Sequence, residues 1–346
     1  MNEIIINIKN LIYNIGYIKS KLNKSTKVCL MVKANAYGHG IKNVVSNTSD
    51  IISYYGVATV EEAIAVRKLT SNNILICGKC LDYKRAIKNN IEISIDNFEE
   101  LKKIDQISKS LNVKAFIHIK INTGMNRYGV KTLKKFKEIL NFIENQNNII
   151  LKGVFTHFCS IVSNKEFLIK QQKNFKEYTK LIKDKSVIIH AGGSEIAFLK
   201  NNYDMVRIGI GAYGYSELDK NLKPVMSYNA KIVSTFYVNK NEFIGYDLTF
   251  KANSKLKIGI VSCGYADGIS RKLSNNYSVK IKNDYCKIVG KICMDCFMVI
   301  IPSYVEENDT VKIFDNAKNM SLISDTIIYE ILVNIKNERN KYVLIK

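Results

Sequence analysis

Five side chains that can carry positive charge or pass a proton recur along the first two-thirds of the chain: Lys33, Lys120, His157, His190 and Arg207, with Arg127 close behind Lys120. Each closes or interrupts a short apolar run. Lys33 lies in VKANAYGHG (32–40), where it is followed by a glycine-bracketed turn holding Tyr37 and His39. A lysine desolvated in such a place has a lowered amine pKa and can form a Schiff base with an aldehyde. A pocket gathering several cations binds an anion, and phosphate is the obvious guest. The glycines of HAGGS (190–194) and RIGIG (207–211) would let backbone N–H groups approach it. Taken singly, each residue has a plainer explanation: a surface charge in a basic chain, or a satisfied structural histidine. They make a site only if the fold brings them together.

The elements that must do so are legible as eight β-rich runs: VCLMVK (28–33), YGVA (55–58), ILIC (74–77), IEISI (91–95), AFIHIKI (115–121), GVFTH (153–157), VIIH (187–190) and MVRIGI (205–210). Polar, Lys/Glu-rich segments with helical spacing separate them, such as 60–69 and 167–181. Eight strands alternating with helices predict a (β/α)8 barrel of the TIM type, in which strand C-termini share one mouth. Lys33, Lys120, His157 and His190 then fall at strand ends and Arg207 within the last strand. A guest with both a phosphate and an aldehyde is pyridoxal phosphate. Beyond about residue 222, alternating strands with Asn/Asp/Gly turns take over, as in YSVKIKNDYCKIV (277–289), and predict a smaller, mainly-β C-terminal domain. The expected division is 1–222 and 223–346.

Composition narrows the class. The chain has 346 residues, 47% of them apolar, which excludes a disordered or fibrous protein. The net charge of +21 is spread along the sequence rather than blocked, which argues against a nucleic-acid partner. Eight cysteines lie mostly in strand-like runs and read as reduced, buried thiols. Two C-x-x-C pairs, Cys77/Cys80 and Cys293/Cys296, are too far apart and too strand-like to suggest zinc. No stretch resembles a signal peptide or a membrane span, so a soluble cytoplasmic protein is expected.

Seven stretches give the chain a resemblance to the alanine racemase family, in the family's order and over nearly its whole length. They are VKANAYGHG (32–40), HIKINTGMNRYG (118–129), THF (156–158), MVRIGI (205–210), IGYDLTF (244–250), GYADG (264–268) and VGKICMD (289–295). The resemblance implies a pyridoxal-phosphate-dependent isomerase that interconverts L- and D-alanine and supplies D-alanine for peptidoglycan. It implies that Lys33 carries the cofactor, that Tyr37, Ser194 and the backbone at Gly209 and Ile210 hold its phosphate, that His157 lies beside its ring and that Arg207 faces its ring nitrogen. An Arg donates to that nitrogen but does not readily protonate it.

Racemisation by two bases assigns one face of the substrate to Lys33 and the other to Tyr246, contributed by the second subunit of a homodimer. Arg127 and His190 match positions that orient the tyrosine and the substrate carboxylate. Lys120 matches a lysine often carbamylated. Tyr265, Arg271, Met294 and Asp295 match the substrate entrance and carboxylate site. The chain departs from the family pattern at Gly193, Asn122, Asp247, Val162 and Ile300. An ionised Asp247 beside the tyrosine would raise its phenol pKa. The two apolar residues would make the entrance less polar, and a racemase of broader specificity is the alternative on the same scaffold. A carrier that only binds pyridoxal phosphate is the non-catalytic one.

Overall fold

The computed structural model describes residues 2–199, 203–335 and 338–346. It divides into two compact units. The larger, residues 11–36 and 40–223, contains the predicted barrel. Its closed ring runs Lys27–Met31, Tyr54–Val57, Asn73–Ile76, Glu92–Ile95, Ala115–Lys120, Ile149–His157, Ile188–Gly192 and Met205–Ile208, and Lys27–Met31 pairs with Met205–Ile208 to close it. All neighbours are parallel. Strands buried on both faces need continuous apolar side chains, which is why Tyr54–Val57 and the Ile74, Leu75 and Ile76 of the next strand read as unbroken runs; Glu92–Ile95 is equally buried but carries Glu92 and Ser94.

The helices between them begin at side-chain caps. Thr59 accepts from Glu62 N, Asn97 from Glu100 N and Asn164 from Phe167 N, each satisfying an amide that the first turn leaves without a partner. The helices predicted over 60–69 and 167–181 are observed as Val60–Arg67 and Lys165–Thr179.

The second unit comprises residues 2–10, 37–39 and 224–346. Its eight-stranded sheet runs, edge to edge, Leu256–Val261, Phe297–Ile300, Asp284–Val289, Ser278–Ile281, Thr310–Phe314, Met226–Val238, Asn2–Asn7 and Asn340–Ile345. The long Met226–Val238 strand also pairs with Leu256–Val261, curling the sheet back on itself. The opening residues of the chain thus form a strand here, antiparallel to Met226–Val238 and parallel to Asn340–Ile345. Its alternation of buried Asn2, Ile4 and Ile6 with half-buried neighbours is the period of a sheet covered on one face. A small core of Val238, Ile244, Ala252, Ile258, Val289 and Met298 supports the hairpin Phe243–Ile244/Phe250–Lys251, whose loop carries Tyr246.

Candidate active site

The barrel mouth does gather the predicted cations. Lys33, Lys120, Arg127 and Arg207 all act on the ring of His157, at the end of Ile149–His157. Burial first, and then these four charges, hold the His157 pKa down at about 3, so the imidazole is neutral throughout the physiological range. Gly192 makes the crowding possible: a Cβ there would lie 2.1 Å from Arg207 Nη2 and 2.7 Å from His157 Nδ1. Arg207 itself is buried, stacks on Phe155 at 4.7 Å and donates from Nη2 to the Thr156 carbonyl at 2.7 Å.

Lys33 follows the strand Lys27–Met31 rather than ending it. It opens a turn in which Ala34, Asn35, Ala36 and Tyr37 all have φ of 51–55°, the left-handed region that L-residues with a Cβ rarely enter. Such a run costs roughly 1–2 kcal/mol per residue, and the surrounding hydrogen bonds must offset it. Glu62 supplies one, accepting from Ala34 N at 2.6 Å through Oε1 and from Ala58 N at 2.8 Å through Oε2. Asn35 supplies two more, its carbonyl accepting from Gly40 N at 2.8 Å and its Oδ1 from Ile41 N at 2.9 Å. Glu62 was invisible to motif reading; its signal was the capping-box pattern T-V-E-E at 59–62.

Desolvation, expected for Lys33, belongs instead to Lys120. Lys33 is exposed because the left-handed turn carries it off the strand. Lys120 is buried between the rings of Tyr128, 5.0 Å away, and Phe155, 5.5 Å away, and donates to the Cys77 carbonyl at 3.2 Å. Burial lowers its pKa to about 8. Asn122 performs the turn-holding work of a carboxylate: its Oδ1 accepts from Gly124 N at 3.0 Å and Asn126 N at 3.1 Å, shaping the loop that presents exposed Arg127.

Beside the last strand, Ser194 Oγ accepts from the N–H groups of Gly209 and Gly211, both at 3.0 Å. A hydroxyl and two amides thus converge on one rim, with Ile210 buried between them. The two amides are spent on the serine oxygen, so the donor this rim offers a phosphate oxygen is the Ser194 hydroxyl hydrogen. Tyr37, in the second unit, is buried with its ring against Tyr329 at 5.9 Å.

His190 departs from its expected role. It is fully buried within Ile188–Gly192, and both ring nitrogens are engaged: Nδ1 with Arg207 Nη1 at 2.8 Å and Nε2 with His118 Nδ1 at 2.8 Å. It cannot orient a tyrosine or a substrate carboxylate; it holds Arg207. His118 Nε2 continues the row to Glu92 Oε2 at 2.7 Å. Glu92 and His118 were not singled out from sequence, although a Glu and a His inside runs buried on both faces were the available signal.

In the second unit, Tyr246 is 65% exposed, Met294 53% and Tyr265 42%. GYADG and the CMD of VGKICMD are knitted together: Tyr265 N donates to the Cys293 carbonyl at 3.1 Å and Ala266 N to the Met294 carbonyl at 3.0 Å. A Cβ on Gly264 would lie 2.3 Å from both carbonyl oxygens, so only glycine permits the approach. Arg339 locks the pair by bonding Asp295 at 2.7 Å and Asp267 at 3.3 Å. Asp247 is paired with Lys291, which, with Arg271 adding more weakly, holds its carboxyl below the usual range. Its charge is therefore compensated rather than aimed at Tyr246 alone.

Comparison with known proteins now has a geometry to stand on. The family described as alanine racemase, N-terminal domain, matches residues 6–217, and the alanine racemase C-terminal domain matches 225–343. The chain belongs to the alanine racemase family. An alanine racemase from Treponema denticola is 35% identical over 361 aligned residues, covering 96% of this chain and 95% of the relative. One from Borreliella burgdorferi is 34% identical, covering 98% and 96%. The solved alanine racemase of Clostridium difficile 630 superposes with a TM-score of 0.93 at 32% identity, covering 99% of this chain and 95% of that one. A histidine racemase from Leuconostoc mesenteroides, at 21% identity and a TM-score of 0.91, shares the fold alone. Among the described residues no helix is long and apolar enough to cross a membrane.

Proposed function

We infer that this chain is an alanine racemase, an isomerase interconverting L- and D-alanine. The observation that carries the reading is the barrel mouth, where Lys33, Lys120, Arg127 and Arg207 converge on a neutral His157. Four cations acting on one half-buried ring suit an anionic guest, and the Ser194 hydroxyl, held in place by the Gly209 and Gly211 amides, suits a phosphate oxygen. Pyridoxal 5'-phosphate fits these residues and, when bound, supplies the electron sink that acidifies the α-proton of an amino acid. Lys33, Tyr37, His157, Ser194, Arg207, Gly209 and Ile210 would hold it. Arg207 would donate a hydrogen bond to its ring nitrogen without surrendering a proton, because a guanidinium stays charged.

The chain's own groups then move the protons. Lys33 Nζ serves as base on one face of the substrate and Tyr246 Oη, from the second subunit of a homodimer, on the other. Arg127 binds the substrate carboxylate, with Tyr265, Met294 and Asp295 at the entrance and Arg271 and Lys120 in support. In this reading residues 1–222 bind the cofactor and residues 223–346 complete the partner subunit's site. The product D-alanine would serve peptidoglycan synthesis in the cytoplasm, with no nucleic-acid or membrane partner. Purified protein incubated with L-alanine should form D-alanine and show visible absorbance that borohydride abolishes. Absence of both would overturn the reading. A panel of other amino acids, histidine among them, tests whether turnover is confined to alanine.

A further inference from the structure

The row Arg207–His190–His118–Glu92 crosses the barrel interior, with every member at least nine-tenths buried. Its proton arrangement follows from its two ends. A guanidinium N–H can only donate, so His190 Nδ1 must present its lone pair to Arg207. His190 Nε2 then carries the hydrogen and donates to His118 Nδ1. His118 Nε2–H in turn donates to Glu92 Oε2, since a carboxylate has no hydrogen to give and can only accept. Each link has one donor and one acceptor, and both imidazoles are neutral. Adding a proton to either ring sets two donors face to face, at Arg207 or between the histidines. The depressed His190 pKa, caused by burial, then by Arg207 and by His118, agrees. Tyr54 donates to the other carboxylate oxygen at 3.3 Å, so Glu92 is satisfied on both oxygens. Among the other ionisable neighbours, Arg67 acts on Glu92 as a further cation, and the thiols of Cys29 and Cys77 have raised pKa values and stay protonated.

We propose that Glu92 and His118 are positioning residues: the buried carboxylate fixes the Nε2–H tautomer of both histidines, so that His190 Nδ1 accepts from Arg207 and the guanidinium is aimed at its ligand. The proposal rests on the racemase reading for what Arg207 is aimed at, but the row itself is a property of the chain. Without an acceptor at position 92, His118 gains nothing by keeping its hydrogen on Nε2. It can move it to Nδ1 and donate to His190, whose own hydrogen is then driven onto Nδ1 against Arg207. The guanidinium must turn away from the clash.

The test compares Glu92→Leu, which removes the acceptor, with Glu92→Gln, whose amide oxygen keeps it. Nitrogen NMR of full-length protein labelled at its four histidines reads the tautomers directly and needs no turnover. The expected result is Nε2–H at both His118 and His190 in the parent and in Glu92→Gln, and a shift to Nδ1–H in Glu92→Leu. A hydrogen on His190 Nδ1 in the parent protein sinks the proposal outright, whether or not any variant folds. In turnover, Glu92→Leu should lose about ten- to a hundredfold in kcat, the loss expected for one hydrogen bond to a charged group. KM for alanine should change little, and Glu92→Gln should recover most of the loss. A folded Glu92→Leu protein with parental tautomers or parental kcat also overturns it. If the parent has no racemase activity, the racemase reading fails while the NMR result still decides the row.

Discussion

The two units present their candidate catalytic groups in opposite ways. In the barrel, Arg207, His190 and Lys120 are buried and hydrogen-bonded to fixed partners, and even exposed Lys33 stands on a turn clamped by Glu62 and Asn35. In the second unit, Tyr246, Tyr265 and Met294 are large side chains left exposed, although the backbone beneath Tyr265 and Met294 is tightly knitted. Prearranged charges in a low-dielectric setting are what cofactor binding requires. Exposed aromatic and thioether groups on a rigid support are what a surface awaiting a partner looks like. The difference teaches that binding and turnover should be separable by unit.

The largest expected effects test that separation. Lys33→Ala should abolish both racemisation and the borohydride-sensitive absorbance. Tyr246→Phe should lower kcat by about 10²–10⁴-fold, the usual range for one acid–base group, while leaving the absorbance intact. Mixing the two inactive proteins under exchange conditions should restore activity, because a mixed dimer would contain one site with parental Lys33 and parental Tyr246. No recovery in a verified mixed dimer would mean that both groups act within one subunit.

The barrel was readable because its strands are largely buried and most announce themselves as short apolar runs, while the helices between them keep charged outer faces. The site was readable where glycine marks a close approach, as at HAGGS, and where a strand ends on a titratable residue, as at Lys120 and His157. What escaped depends on pairings that no local pattern encodes. Asn2–Asn7 is a strand only because Met226–Val238 and Asn340–Ile345 flank it, from the far end of the chain. The row from Glu92 to Arg207 depends on five consecutive strands arriving in register, Ser94 opposite His118, Phe155 opposite His190 and Gly192 opposite Arg207 among them. The left-handed turn after Lys33 contradicts the propensities of Ala34 and Ala36, and only tertiary contacts can enforce it.

Lys120 sharpens the comparison from the barrel side, because a buried cation is a liability that an exposed one is not. Its pKa is about 8 in the folded chain and 10.5 when solvated. Between those values the unfolded state binds more protons than the folded state, so stability must rise with pH across this window. Below about pH 8 the penalty is fully present, and it amounts to about 3 kcal/mol. Lys120→Met should therefore be more stable than the parent at pH 7 in urea melts, and the gap should narrow through pH 8–10 and close above about pH 10.5. Carbamylation of Lys120 would reverse the charge and remove this slope in the parent, which makes the same melts with and without added bicarbonate informative.

Glu62→Gln addresses the clamp under Lys33. The amide oxygen can still accept one backbone N–H, but the charge-assisted bond to Ala34 N is weakened, and such bonds contribute about 1.5–3 kcal/mol. Loss of about 1–2 kcal/mol should appear as a lower urea midpoint with unchanged slope. If stability is unaffected, the left-handed turn is held by Asn35 and packing alone.

The smallest effect is expected in the second unit, at Asp247. The sequence alone suggests that this carboxylate would raise the phenol pKa of Tyr246 and so move the basic limb of the pH–rate profile upward. The structure pairs it with half-buried Lys291, and the carboxylate itself faces solvent, where water and salt screen what charge remains. Asp247→Asn should then shift the profile by only a few tenths of a pH unit. Lys291→Met leaves the carboxylate uncompensated beside Tyr246 and should shift the profile further, in the alkaline direction. The two substitutions together should return it toward the parent, because each removes one half of a pair whose net field at Tyr246 is small. If Asp247→Asn alone produces the larger shift, the carboxylate acts on Tyr246 despite its partner, and the exposed half of the site is as electrostatically organised as the buried one.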